Sequence, residues 1–147
     1  MGMSKRKSML ESFFDNYRDI FNKGINDELD GEELRDLYSE CFIGANPLGV
    51  SCGKNDKKLL EVSKEGYSFY RKIGVTSMEI VSKEVNLLDD FHAMVKVRWR
   101  SHFIKENSKE TLEFENLYFV QTIEDKPKIF GWITPDEQKS LRERGLI

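Results

Sequence analysis

The sequence predicts an α+β domain with three N-terminal helices, an antiparallel meander and a short closing helix. Three observations carry this. In the first half, apolar residues recur at helical spacing. From residue 75 onward the chain alternates with period two and is rich in β-branched and aromatic residues. The alternating stretches are joined by hairpin-short polar connections.

Taken in order, Phe13, Phe14, Tyr17, Ile20 and Phe21 share one face of a helix over about residues 8–23, with Gly24 as its stop. Residues 1–7, including Lys5-Arg6-Lys7, are expected to be a flexible, solvated tail, which leaves one domain over 8–145. Asp30 and Glu33 resemble a capping box, and Leu34, Leu37, Tyr38, Cys41 and Phe42 then follow one face of a second helix. The turn-rich stretch GANPLGVSCG (44–53) has room for a short strand at 48–51. Asn55 or Asp56 caps a third helix with Leu59, Leu60, Ser63, Tyr67 and Tyr70 as its buried stripe, ending at Gly74. Strands are expected over 75–88, 91–104, 110–123 and 127–133, with connections around Asp89-Asp90, Glu106-Asn107 and Asp125-Lys126. Thr134, Pro135 and Glu137 suit the N-cap, N1 and N3 positions of a last helix closed by Gly145.

The second hairpin can be given a register. With Glu106-Asn107 as a two-residue loop, Arg98 meets Glu115 and Arg100 meets Glu113 on one face. On the other face Ala93 meets Val120, Val97 meets Asn116 and Trp99 meets Phe114. Opposite charges align outside and apolar residues inside, and a one-residue slip destroys both patterns. Leu112, Phe114, Asn116, Tyr118 and Val120 therefore face inward, with Asn116 the polar member of the row. On the first long strand, Met78 and Ile80 have one parity and Val85 and Leu87 the other; a β-bulge near Ser82 reconciles them and bends the sheet.

Composition narrows the function. A net charge of −3 gives no reason to expect nucleic acid or an anionic membrane as partner. Cys41 and Cys52 match no zinc spacing and make no disulfide framework, so both read as reduced thiols of a cytoplasmic protein. There is no apolar run of membrane length, and Arg6 stands where a myristoylation leader needs Ser or Thr. His92 and His102 lie too far apart along one strand to share a metal within a monomer. Phosphate-loop, dinucleotide, HExxH and nucleophile-elbow motifs are missing, so no cofactor or metal is expected.

The order of elements, the NPLG turn, the strand ending in WRSHF and the stretch IFGWITPDEQ resemble the NTF2-like superfamily, including SnoaL-like and ketosteroid-isomerase-like proteins, over about residues 8–145. The resemblance implies an NTF2-like (cystatin-like) cone: a strongly curved antiparallel sheet on helices, a deep pocket between them, and frequently a homodimer through the outer sheet face. Isomerases of that superfamily use a Tyr on the first helix, a general-base Asp in the turn after the second helix and a protonated Asp on a late strand. Those positions fall here on Tyr17, Asn46 and Asn116. An amide takes no proton near neutral pH, so classical isomerase activity is not expected.

What is left is a polar anchor in an apolar pocket. The expected ligand is a small hydrophobic molecule bearing oxygen, with Tyr17, Asn46 and Asn116 as polar contacts and Tyr70, Trp99, Phe114 and Tyr118 as walls. Each has a plainer reading: Asn46 as a turn residue before proline, Asn116 as a satisfied buried amide, and Tyr17 and Trp99 as core aromatics. Trp132 and Phe130 share a parity whose face the pattern does not fix. Two rival functions stay open: a SnoaL-like isomerase, cyclase or dehydratase with Asp36 or Glu40 as base, and a protein-interaction module using outward Leu117 and Phe119.

Overall fold

A computed structural model describes residues 2–147. Helix α1 (Met3–Ile25) is followed by a single-turn α2 (Gly31–Arg35), strands β1 (Tyr38–Asn46) and β2 (Gly49–Lys54), and helix α3 (Lys57–Lys72). Strands β3 (Val75–Leu87), β4 (His92–Lys105), β5 (Ser108–Ile123) and β6 (Lys126–Ile133) form the meander, and α4 (Glu137–Glu143) closes the chain. All six strands lie in one sheet in the order β2-β1-β6-β5-β4-β3. Every neighbouring pair is antiparallel except β1 and β6, which run parallel.

The β4–β5 register is the one that charge pairing predicts. Arg98 faces Glu115, Arg100 faces Glu113, Val97 faces Asn116 and Trp99 faces Phe114. Glu106 and Asn107 have φ of 49° and 64°, the left-handed pair of a type I′ turn whose twist matches that of the strands. Arg98 donates to both Glu113 and Glu115, and Arg100 to Glu113 and Glu79, so the outer face carries a charge ladder. The β5–β6 turn is Glu124-Asp125, one residue earlier than expected.

The expected bulge on β3 falls between Ile80 and Ser82, and a second lies between Val75 and Ser77. Together they bend β3 so that Met78 and Val85, of opposite parity, both face the helices. Another irregularity between Ile129 and Gly131 settles the faces of β6. Ile129 and Trp132 turn inward, while Phe130 turns outward against Phe119 at 6.2 Å between ring centroids.

Helix α1 packs its apolar stripe on the concave face. Leu10 and Phe14 are almost wholly buried against Val95, Val97 and Val120, each such side chain stabilising by about 1.5–3 kcal/mol. Asn22 fixes α1 to the free edge of β3: its Nδ2 donates to Met78 O and its Oδ1 accepts from Met78 N, at 3.0 and 2.8 Å. The helix starts at Met3, so residues 3–7 are its first turns rather than the tail expected, and Arg6 donates to Asp89 O at 2.7 Å.

The second helix is the main correction. Asp30 does cap it, accepting from Glu32 N and Glu33 N, but it ends at Arg35. The residues read as its continuing face, Tyr38 to Phe42, are strand β1. Five helical residues are too few to hold a helix on propensity alone, whereas the same stretch as strand joins both β2 and β6. The cap of α4 is likewise Asp136, which accepts from Lys139 N, rather than Thr134.

Candidate functional site

Between α1, the concave face of the sheet and α4 lies a cavity of about 270 Å³. The alternation of β4 and β5 supplies its back wall: Trp99, Ser101 and Phe103 from β4, and Leu112, Phe114, Asn116 and Tyr118 from β5. Helix α1 contributes Tyr17 and Phe21, and α3 contributes Tyr70. Tyr38 and Trp132 line the side formed by β1 and β6, packing at 5.8 Å between ring centroids. Gly44 makes room for that indole, since a Cβ there would lie 2.6 Å from Trp132 Nε1. Thr134, Pro135 and Glu137 edge the opening beside α4.

Polar chemistry concentrates on Tyr118. Its hydroxyl oxygen accepts from Trp99 Nε1 at 3.0 Å and from Asn116 Nδ2 at 3.1 Å. Asn116 Oδ1 is buried and has no hydrogen-bond partner among the described residues. Such an orphan acceptor is uncommon in a folded protein. Burial raises the Tyr17, Tyr38 and Tyr118 phenols, with the neighbouring phenols adding to the effect at Tyr17 and Tyr38, so all three are neutral donors and acceptors near neutral pH.

A second polar contact sits at the opening, where Tyr70 Oη donates to Glu137 Oε1 at 2.5 Å. Burial, and then the adjacent carboxylate, hold the Tyr70 phenol well above its ordinary value. Among the described residues, Glu137 is the one carboxylate of the lining, which contains no Lys, Arg or His.

Six of the seven residues singled out from the sequence (Tyr17, Tyr70, Trp99, Phe114, Asn116 and Tyr118) line this one cavity. Asn46 does not. It is exposed at the end of β1, where its Oδ1 accepts from Leu48 N at 2.8 Å, so it shapes the β1–β2 turn. Asp36 and Glu40 are also elsewhere, in an open groove with Glu32, Arg35 and Lys128, and neither reaches the cavity. Sequence reasoning missed Tyr38, because it was assigned to a helix, and Glu137, because TPDE reads as a capping signal. An alternative period-two reading of Tyr38, Glu40 and Phe42 would have found the first; only the docking of α4 reveals the second.

Among the described residues no group of three His, Cys, Asp or Glu side chains is placed to hold a metal ion, and no helix is long and apolar enough to cross a membrane. Cys41 and Cys52 are exposed free thiols.

A bent open sheet enclosing a cavity with a long N-terminal helix defines the cone of the NTF2-like fold. The chain belongs to the family described as NTF2-like protein (DUF6841), whose model matches residues 6–137. Solved structures agree on the fold. An NTF2-like protein with a cystatin-like fold from Novosphingobium aromaticivorans is similar at TM-score 0.72 and 12% identity, covering 99% of this chain and 90% of that one. An NTF-2 like protein of unknown function from Shewanella oneidensis MR-1 is similar at TM-score 0.66 and 19% identity, with 88% and 98% covered. A ketosteroid isomerase-like protein from Erwinia carotovora atroseptica is similar at TM-score 0.58 and 15% identity, with 87% and 93% covered. At these identities the likeness concerns the fold alone. No curated protein matches the chain.

Proposed function

We propose that this protein binds a small, mainly apolar molecule bearing oxygen in the cavity between α1 and the sheet. The observation that carries the reading is the aromatic cavity with the amide of Asn116 on its wall, whose buried Oδ1 has no partner among the described residues. A protein that needed this space only as core would be better served by an apolar residue at 116, as at Val97 opposite. The volume of about 270 Å³ suits a ligand of one or two fused rings.

Native mass spectrometry of gently purified protein, followed by denaturing release, tests this. The comparison is with Ser101→Phe, which projects a ring into the same space. A small molecule retained by the wild type and lost from the variant supports the proposal. Equal retention by both, or retention by neither, counts against it.

Glu137 gives the enzymatic alternative a specific foothold. Isomerase, cyclase or dehydratase chemistry needs a group that moves a proton, and this carboxylate borders the cavity whereas Asp36 and Glu40 do not. Turnover of a released compound that is abolished by Glu137→Gln would favour that reading. The same spectra report oligomeric state. Phe119 and Phe130, adjacent on the outer sheet face, favour self-association there, and a monomer at micromolar concentration would remove that part of the proposal.

A further inference from the structure

Glu137 gives the cavity a charge that no cation of the lining answers. Among the described residues it enters no ion pair. Tyr70 Oη donates to its Oε1, which fixes the carboxylate at the opening and leaves Oε2 without a side-chain partner among the described residues. The residue is exposed, so a ligand at the opening can reach it. Burial keeps the Tyr70 phenol neutral near neutral pH, so it adds no second charge. Cations beside α4 are engaged elsewhere. Arg144 lies over the Phe103 ring, donates to Thr111 O and pairs with Glu110 at 3.8 Å, and Lys105 donates to Arg144 O. The first turn of α4 is met by its own cap, Asp136, which accepts from Lys139 N.

The rest of the lining suits a cationic partner. Nine aromatic side chains line the cavity, and the face of an aromatic ring is negative. The Tyr70 side chain meets the carboxylate through its hydroxyl, and the Phe21 ring lies against it at 5.8 Å between centroids. We propose that the apolar molecule held in the cavity carries a basic nitrogen at the end nearest the opening, where its ammonium group pairs with Glu137 beside the Tyr70 ring, and that carboxylate ligands are disfavoured. This rests on the cavity being a binding site, and it adds a positive charge to the oxygen-bearing class proposed above. An ammonium has three donors, one of which fills Oε2 while Tyr70 keeps Oε1. Because Glu137 is exposed, the pair forms at the rim and escapes the heavy desolvation cost of a buried one. A ligand carboxylate at the opening meets like charge, and deeper in the cavity it loses water without gaining a cation.

The test is isothermal titration of the full chain, at neutral pH and low salt, with three matched probes: a naphthol carrying an aminomethyl, a hydroxymethyl or a carboxylate group on its far ring. The amine is expected to bind about fivefold or more tighter than the alcohol, from a rim ion pair and a cation–π contact together. The carboxylate is expected to bind weakest. In Glu137→Gln the advantage of the amine over the alcohol is expected to disappear. Glu143→Gln, which removes an exposed charge of the same helix outside the lining, is expected to keep it. An amine no tighter than the alcohol, or a carboxylate as tight as either, overturns the charge selection and leaves the binding site standing. An advantage that survives Glu137→Gln, or that Glu143→Gln removes as well, overturns the pairing with Glu137. Absence of binding by all three probes removes the binding site and the selection together. The wild-type series and Glu143→Gln decide the matter even if Glu137→Gln fails to fold.

Discussion

Replacing Asn116 by Leu should stabilise the ligand-free protein. Leucine keeps the branched outline of asparagine and removes both polar atoms. The gain is the relief of the orphan Oδ1, which as a buried unsatisfied acceptor costs about 1–3 kcal/mol. The loss is the 3.1 Å bond from Nδ2 to Tyr118, a contribution of about 0.5–1.5 kcal/mol. Tyr118 keeps its bond from Trp99, so its oxygen is not itself orphaned. The balance is a stabilisation of about 1 kcal/mol, equivalent to about 2–4 °C in Tm for a chain of this size. Urea denaturation followed by fluorescence reads it directly, provided the slope m is unchanged. A destabilisation of about 1 kcal/mol or more would refute the reasoning, because it would mean that Oδ1 is satisfied in the free protein and that the amide is structural.

Two further outcomes follow from the same structure. All five tyrosines (Tyr17, Tyr38, Tyr67, Tyr70 and Tyr118) have phenols raised by burial, Tyr67 to about 12. A raised folded-state pKa stabilises fully below the unfolded value near 10 and loses its contribution as pH climbs above that, by about 1.4 kcal/mol per pH unit for each phenol ionising only in the unfolded chain. Phenolate absorbance should therefore appear cooperatively with alkaline unfolding, and a tyrosine titrating near 10 in the folded protein would contradict the burial described. The second outcome is a pair of opposite signs. Gly24→Ala places a Cβ 2.4 Å from the buried Tyr67 ring, an overpacking of about 1–3 kcal/mol that outweighs the roughly 1 kcal/mol helix-propensity gain. Gly66→Ala, with nothing within 4 Å of its new Cβ, should stabilise by about 0.5–1 kcal/mol, and both variants moving Tm the same way would defeat the packing argument.

Legibility differed by element for physical reasons. The β4–β5 hairpin was readable to the residue, because cross-strand charges and inward aromatics constrain register twice over. The β1 strand was misread, because Leu34, Leu37, Tyr38, Cys41 and Phe42 fit a helical face as well as a strand, and the deciding partners in β2 and β6 are distant in sequence. The faces of Phe130 and Trp132 had no local signal, since an irregularity in the β5–β6 ladder separates residues that parity alone would put together. Of the site, the inward row of β5 was legible through alternation, and Asn116 stood out in it by being polar.

By itself the sequence determined the α+β class and the inward aromatic row, both of which follow from short-range periodicity and residue chemistry. Tertiary structure decided the rest. It removed Asn46, Asp36 and Glu40 from the cavity, brought Tyr38 and Glu137 to it, and directed an Asn116 N–H to Tyr118 while leaving Oδ1 without a partner among the described residues. The reason is that a hydrogen bond's direction depends on which partner each atom finds, and Asn116 finds Tyr118 only once β4 and β5 have placed Trp99 and Tyr118 together on the same face.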